Sequence, residues 1–294
     1  MAVPAPFHAK YAYGNAIFET RSICAAEVAT IAGDDELLVV NADDFGKDDA
    51  VNRAVVRCFG ERICSSTTIM PNMPGFEEAC ALAFEKGFHE RVGLHLVLDE
   101  GMPLSKDILS EKRFCTKDGA LGLSRESPVF RLSGPEKSAL AKEIRAQIRK
   151  CRDRGLPIVH VDSHHHVHTE WAIAMAMIPV LREEGISFAR ISRDLGLNTG
   201  MPRRLYKRFY NSMLKRNRLR GTDHFGSVDE YRAFRMRQGN TDSITEVMIH
   251  PIIRNDELYV TESMKIEQYE RSMGPYLETE RLIAFCDLIP RQKP

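Results

Sequence analysis

Five of the ten histidines in this chain fall within Val159-His160-Val161-Asp162-Ser163-His164-His165-His166-Val167-His168. Residues 156–159 at its start read as a short buried strand, and residues 170–184 after it as a helix. Imidazole and carboxylate grouped at the carboxyl end of a strand are the donors that hold zinc, iron, cobalt and similar divalent ions. Two arrangements are open. An extended segment puts His164, His166 and His168 on one face; a helical turn starting at His164 stacks His164 and His168 at i, i+4. A surface histidine cluster or an engineered tag is the plain alternative; the run is interrupted, internal and flanked by core-like residues, which speaks against a tag.

Three other places carry groups suited to the same chemistry. Asp43 and Asp44 follow the apolar run 36–41 (ELLVVN), where acidic side chains are costly unless paired or metal-bound. The plain reading there is a turn with Asp44 capping a helix, but Asp48 and Asp49 can cap that helix equally well. His95 lies in the apolar run 91–98 (RVGLHLVL); alone, such a histidine is more often a satisfied core residue, and the neighbouring Gly93 leaves room for close approach. His250 comes directly after the apolar run 243–249.

These four groups fall on elements whose order is itself informative. Strands over 36–41, 65–70, 91–98, 186–191 and 243–249 alternate with helices over 49–59, 76–86, 135–153 and 228–237, and residues 262–271 and 276–289 read as closing helices. Such alternation predicts a largely parallel sheet or barrel, in which sites gather at the carboxyl ends of the strands. Residues 99–133 form a long irregular connection directly after the His95 strand, placed to wall or cover a pocket. Residues 1–35 fit none of this and read as an N-terminal extension before a domain spanning 36–294.

Composition narrows the class. The chain has 294 residues, 43% hydrophobic and 28% charged, as in an ordinary globular protein. Forty-one basic residues balance 41 acidic ones, so net charge favours neither nucleic acid nor membrane. Seven scattered cysteines without a C-x-x-C pair point to reduced thiols and a cytoplasmic protein. No apolar run reaches the roughly 18 residues of a membrane span. The stretch from Arg203 to Arg220 is strongly basic; a solvated helix face is its plain reading, beside an anionic sugar, lipid headgroups, nucleic acid or a homodimer contact.

Asn41-Ala42-Asp43-Asp44-Phe45-Gly46, Gly93-Leu94-His95-Leu96 and Asp162-Ser163-His164-His165-His166-Val167-His168 resemble, in order and spacing, the signature blocks of the YdjC-like carbohydrate deacetylases, among them chitooligosaccharide deacetylase. The resemblance covers roughly residues 36–290. It implies an α/β fold, an irregular (β/α) barrel related to the NodB-type deacetylases. It also implies one divalent metal ion and hydrolysis of the N-acetyl group of an amino sugar. Carried over by residue, the metal ligands would be Asp44, His95 and His164. Asp43 would be the general base and His250 the general acid, the latter by analogy with the late histidine of NodB-type enzymes. Asp162 would orient a histidine, and His168 would support the ligands or touch the substrate. Magnesium or zinc is the expected ion, with manganese, cobalt and nickel also compatible.

The chemistry stands beside the resemblance: an amide is a poor electrophile with a poor leaving group, and a Lewis acid, a base and an acid address each difficulty. The extension before residue 36, the basic stretch and Pro251-Ile252-Ile253-Arg254 depart from the family pattern and bear on which sugar is used. Rival readings are another metallohydrolase, such as a phosphoesterase, and a non-catalytic sugar-binding relative.

Overall fold

The computed structural model describes residues 37–123, 129–196, 200–239 and 243–289; the extension expected over residues 1–35 lies outside them. Strand β1 (Leu37–Phe45) shows how the chain builds a barrel. Leu38, Val40 and Ala42 point outward into the main core, while Leu37 and Val39 belong to a smaller apolar cluster inside. Asn41 and Asp43 continue that inner row. β2 (Ser66–Ile69), β3 (Val92–Leu96), β4 (His160–Ser163), β5 (Phe188–Ala189), β6 (His224–Ser227) and β7 (Ile244–Ile249) complete a parallel sheet in the order β5-β4-β3-β2-β1-β7-β6.

The two ends of that sheet meet. Phe188 of β5 bridges in parallel to Arg220, just ahead of β6. The Ala189 N–H donates to the Arg220 carbonyl at 2.9 Å and the Arg220 N–H to the Ser187 carbonyl at 2.9 Å. The sheet therefore curls into the expected irregular (β/α) barrel. Helices α1 (Asp49–Gly60), α2 (Phe76–Glu85), α3 (Gly134–Asp153), α4 (Trp171–Glu183), α5 (Met201–Arg216), α6 (Val228–Gln238) and α7 (Ile266–Leu277) follow in chain order. A hairpin, β8 (Ile252–Arg254) with β9 (Glu257–Tyr259), follows β7.

Two expected elements differ. The strand read over 156–159 lies instead at His160–Ser163; Pro157 lacks the N–H a central strand needs, so pairing begins beyond it. Residues 276–289 are not one helix. α7 ends at Leu277, β10 (Arg281–Leu282) pairs with β1, and Phe285–Leu288 form a 3-10 turn. Ile283, Phe285 and Leu288 join Val39 and Phe188 to plug the lower barrel with apolar groups. Gly93 faces the ring of His160 there: a Cβ at Gly93 would stand 2.3 Å from His160 Nε2, so only glycine fits.

α3 fixes the wall beside the upper barrel. Ser133 and Glu136 form a capping box that starts it, a feature worth about 1 kcal/mol. Leu140, Ile144 and Ile148 face the core. Glu143 and Gln147, buried one turn apart, hold the chain leaving β3. Glu143 accepts from the N–H groups of Leu104 and Ser105, and Gln147 bonds both the N–H and the carbonyl of Val97. The segment carrying Asp99 and Glu100 is thus tied down at both ends as a wall.

Candidate active site

The inner row of each strand reads apolar below and charged above. Asp43 from β1, His95 from β3, Asp162 from β4, Arg190 just after β5 and Glu246 from β7 converge in the upper barrel, all buried. Arg190 organises them. Its NH1 and NH2 donate to the two oxygens of Asp43 at 2.7 Å each. Its NH1 also lies 2.6 Å from Asp162 Oδ2, and its Nε donates to Glu246 Oε1 at 2.8 Å. Its guanidinium stacks 4.7 Å over the Phe225 ring. Only a planar fork with five donors can serve three carboxylates at once. Burial alone would raise the Asp43 carboxyl; Arg190 overrides this and holds it well below the usual carboxylate range.

Asp44 is placed by strain. Pairing between β1 and β2 shifts register between Ala42 and Phe45, and Asp44 has φ 68°, in the left-handed region. Neighbouring strand residues normally face opposite sides. The irregularity turns Asp44 toward the same centre as Asp43, the usual purpose of a bulge beside a site. Helix α1 is capped by Asp48, which accepts from Val51 N–H at 2.9 Å, so Asp44 is not needed as a cap.

His95 joins the two layers. Its Nδ1 lies 2.7 Å from Asp162 Oδ1 and its Nε2 lies 3.1 Å from Asp44 Oδ1. That Asp44 oxygen is buried, and its contact with His95 is an ion pair rather than a well-aligned hydrogen bond. Burial works against the charged ring, yet Asp162 and Asp44 together raise His95 to about 10. His164 also meets a carboxylate: Asp99 Oδ1 lies 2.9 Å from its Nδ1, and its ring stands 5.9 Å from that of His95. In both rings a carboxylate stands at Nδ1, an arrangement common in metal-binding histidines, while His95 Nε2 faces Asp44.

Two donor triads lie close enough to share an ion, Asp43-His95-Asp162 and Asp99-His164-His165. The first already surrounds the Arg190 cation, which would repel a second positive charge. The second would use the Nδ1 atoms that Asp99 engages. The set Asp44, His95 and His164 is not among these close triads: Asp44 Oδ1 lies 3.1 Å from His95 Nε2, but the His95 and His164 rings stand 5.9 Å apart. Its mixed carboxylate and imidazole donors are of the kind that suit a transition metal or magnesium.

Sequence reasoning named Asp43, Asp44, His95, His164 and Asp162, and these lie together. His250 stands at the opening, its Nε2 3.8 Å from Asp43 Oδ2. His168 is buried behind the turn, with Nδ1 2.5 Å from Ser163 Oγ, a position that supports the turn. The two arrangements read for the histidine run both fail. His165 and His166 have φ 48° and 58° within a 3-10 turn over His164–Thr169, and two successive left-handed residues break strand and helix periodicity alike. Four contributors were missed. Asp99 anchors His164 and also His165, at 2.8 Å. Arg190 and Glu246 build the buried charge cluster. Glu100 approaches His164 Nε2 at 3.6 Å and pairs with Lys47 at 3.1 Å. A charged residue in a strand that is otherwise buried was the available signal for Arg190 and Glu246.

Two predictions follow from this wiring. Asp99→Asn is expected to weaken metal binding by about 10–100-fold, because loss of the anchoring carboxylate frees the His164 ring; calorimetric titration with zinc measures it, and unchanged affinity would remove Asp99 from the site. Glu246 concerns stability. Burial pushes its carboxyl up to about 7, with Arg190 opposing. The folded state thus holds a proton that the unfolded chain, near the ordinary 4.5, releases earlier. Stability from this group is present below about 4.5 and is lost as pH rises toward 7. Glu246→Gln is expected to gain on the order of 2 kcal/mol relative to the parent at pH 8 and nothing at pH 4; urea unfolding at the two values checks the sign.

A β/α barrel with carboxylate and imidazole side chains gathered at the carboxyl ends of its strands has those groups where enzymes of this architecture carry their active sites. The chain belongs to the YdjC-like protein family, whose sequence model matches residues 37–282. It is 32% identical over 230 residues to a carbohydrate deacetylase of Thermoanaerobacter pseudethanolicus, covering 75% of this chain and 83% of that protein. It is 39% identical over 148 residues to a carbohydrate deacetylase of Brevibacillus brevis, covering 50% of this chain and 56% of that relative. A crystal structure from Enterococcus faecalis V583, described as that of a cellobiose-phosphate cleavage protein, shares the fold. Its TM-score is 0.62 at 18% identity, over 86% of this chain and 98% of that one.

Proposed function

We propose that this protein is a metal-dependent carbohydrate deacetylase that hydrolyses the N-acetyl group of an acetylated amino sugar or chitooligosaccharide. The observation that carries the reading is the approach of Asp44 Oδ1 to His95 Nε2, 3.1 Å apart, beside an ionised Asp43. The deacetylase names of the relatives support the substrate class. Asp44, His95 and His164 would hold the ion, magnesium or zinc first among the choices. When bound, it would polarise the amide carbonyl and make water a better nucleophile.

The chain's own residues supply the rest. Asp43 Oδ1 accepts from Asn41 Nδ2 at 2.8 Å and from Arg190, whereas Oδ2 takes Arg190 alone. The remaining lone pair of Oδ2 faces His250, so Oδ2 is the atom that receives the proton of the attacking water. Arg190 keeps the carboxylate ionised and aimed. His250, part-exposed at the opening, delivers a proton to the departing amine, a task suited to imidazole. Asp162 holds His95 in the required tautomer through Nδ1. His168 steadies the turn that carries His164.

We assign this activity to one domain over residues 36–294, preceded by an extension over residues 1–35, in line with the family match over 37–282. The six described cysteines are unpaired, which suits a reducing, cytoplasmic setting. The test is acetate release from chitobiose by protein stripped of metal, with each divalent ion then added back. Release that depends on an added ion is expected. No release with any ion, from chitobiose or from other N-acetylated sugars, would overturn the reading.

A further inference from the structure

Helix α5 leaves its amino-terminal half largely outside the body of the protein. Met201, Leu205 and Phe209 are 67%, 57% and 49% exposed. Their i, i+4, i+8 spacing makes one apolar strip. Arg204 and Arg208, three residues beyond Met201 and Leu205, form a basic strip directly alongside it. The helix carries six lysines and arginines and no acidic residue, in a chain whose net charge is zero. None of the six forms an ion pair among the described residues. The buried side of the same helix, Tyr210, Met213 and Leu214, is separate and holds it to the barrel.

The apolar strip continues beyond α5. Phe209 packs on Trp171 at the start of α4, with ring centroids 5.6 Å apart. Met175, one turn further along α4, is 47% exposed. Phe130 is 74% exposed, and its neighbour Val129 accepts from Ala172 N–H at 3.0 Å. Tyr206 donates to the Thr169 carbonyl at 2.5 Å, tying α5 to the end of the turn that carries His164. The patch therefore lies at the site end of the barrel.

We propose that α5 and the adjoining rim dock this protein on an anionic lipid bilayer, with the apolar strip entering the headgroup boundary and the basic strip lying against the lipid phosphates. No helix of the described residues is long and apolar enough to cross a membrane, so the attachment is peripheral. Side-by-side apolar and basic strips on one exposed helix are what an interfacial helix needs. A nucleic acid met through its phosphates and sugars would leave much of the Met201 and Leu205 strip in water. A second copy meeting this face about a two-fold axis would set six cations against six cations. Docking here turns the mouth of the barrel toward the bilayer surface, where an acylated glycan carried on a lipid would be presented. The docking surface stands apart from the deacetylase reading.

The test is flotation of the full chain with vesicles of phosphatidylcholine, alone and mixed with phosphatidylglycerol. Binding to the anionic vesicles is expected, weakening with salt and nearly absent on phosphatidylcholine alone. Arg204→Glu with Arg208→Glu, and separately Met201→Ser with Leu205→Ser, are each expected to lower partitioning at least about tenfold. Thermal unfolding and ion-dependent acetate release from a soluble sugar are expected to stay at parental values in both variants. No binding to anionic vesicles overturns the proposal. So does binding that survives the serine substitutions, tighter binding to single-stranded RNA than to vesicles, or a dimer that these substitutions dissociate. Vesicle binding is read without any reaction, so its failure is distinct from failure of the deacetylase activity.

Discussion

Asp43→Asn is expected to lower acetate release by about 10²–10⁴-fold while leaving the affinity for the divalent ion close to that of the parent. The asymmetry follows from where Asp43 sits. Its oxygens are taken up by Arg190 and Asn41, and it is not among the residues proposed to hold the ion. Asparagine keeps the shape and one acceptor but cannot take a proton at Oδ2. The fold is expected to persist, because Asp162 and Glu246 still compensate Arg190. Zinc titration and acetate assay on one preparation separate the two effects. Loss of ion binding together with activity would move Asp43 into the ligand set, in keeping with its proximity to His95 and Asp162. Unchanged activity would make it a structural counter-ion of Arg190 and nothing more.

Arg190→Met carries the largest expected stability effect. The methionine can still touch the Phe225 ring, but it leaves Asp43, Asp162 and Glu246 facing one another without a cation in a buried centre. Removing one partner of a buried ionic group typically costs about 3–5 kcal/mol, because the remaining charge is stranded. At roughly 2–4 °C per kcal/mol for a chain of this size, the unfolding midpoint is expected to fall by about 10 °C. Arg190→Lys is expected to recover little, since an ammonium cannot form the bidentate bond to Asp43 and still reach Glu246. Glu246→Gln placed on Arg190→Met is expected to restore part of the loss by removing one stranded charge. Full stability of Arg190→Met would show that the three carboxylates protonate at little cost. The same variant is expected to lose activity, because Asp43 would no longer be held ionised and aimed.

Much of the fold was legible because local chemistry and the strand period agreed. The run LLVVNADDF places apolar groups on both faces of one strand and polar groups on the inner row above them. The helix expected over 135–153 forms as α3, Gly134–Asp153. Donors at successive strand ends foretell a site at the carboxyl end of a parallel sheet. Where a sequence rule overreached, a competing constraint is identifiable. Pro157 delays the fourth strand, and residues 281–288 go to the barrel floor because the apolar plug there needs Ile283, Phe285 and Leu288.

The sequence by itself determined which residue types stand at the ends of the strands: Asp43 and Asp44 after one, His95 within another, His164 and its neighbours after a third, His250 after a fourth. These are local facts, since side-chain period and strand ends are set by neighbouring residues. Only the tertiary structure decided how those groups are wired. Asp43 meets Arg190 across 147 residues of chain, and His164 meets Asp99 across 65. No local pattern encodes pairs so far apart. The left-handed turns at Asp44, His165 and His166 are equally a product of the surroundings, because such backbone is costly for these residues and persists only where packing and hydrogen bonds fix it. That is why the five imidazoles of one short run end in different environments, with His164 turned toward His95 and His168 buried behind the turn.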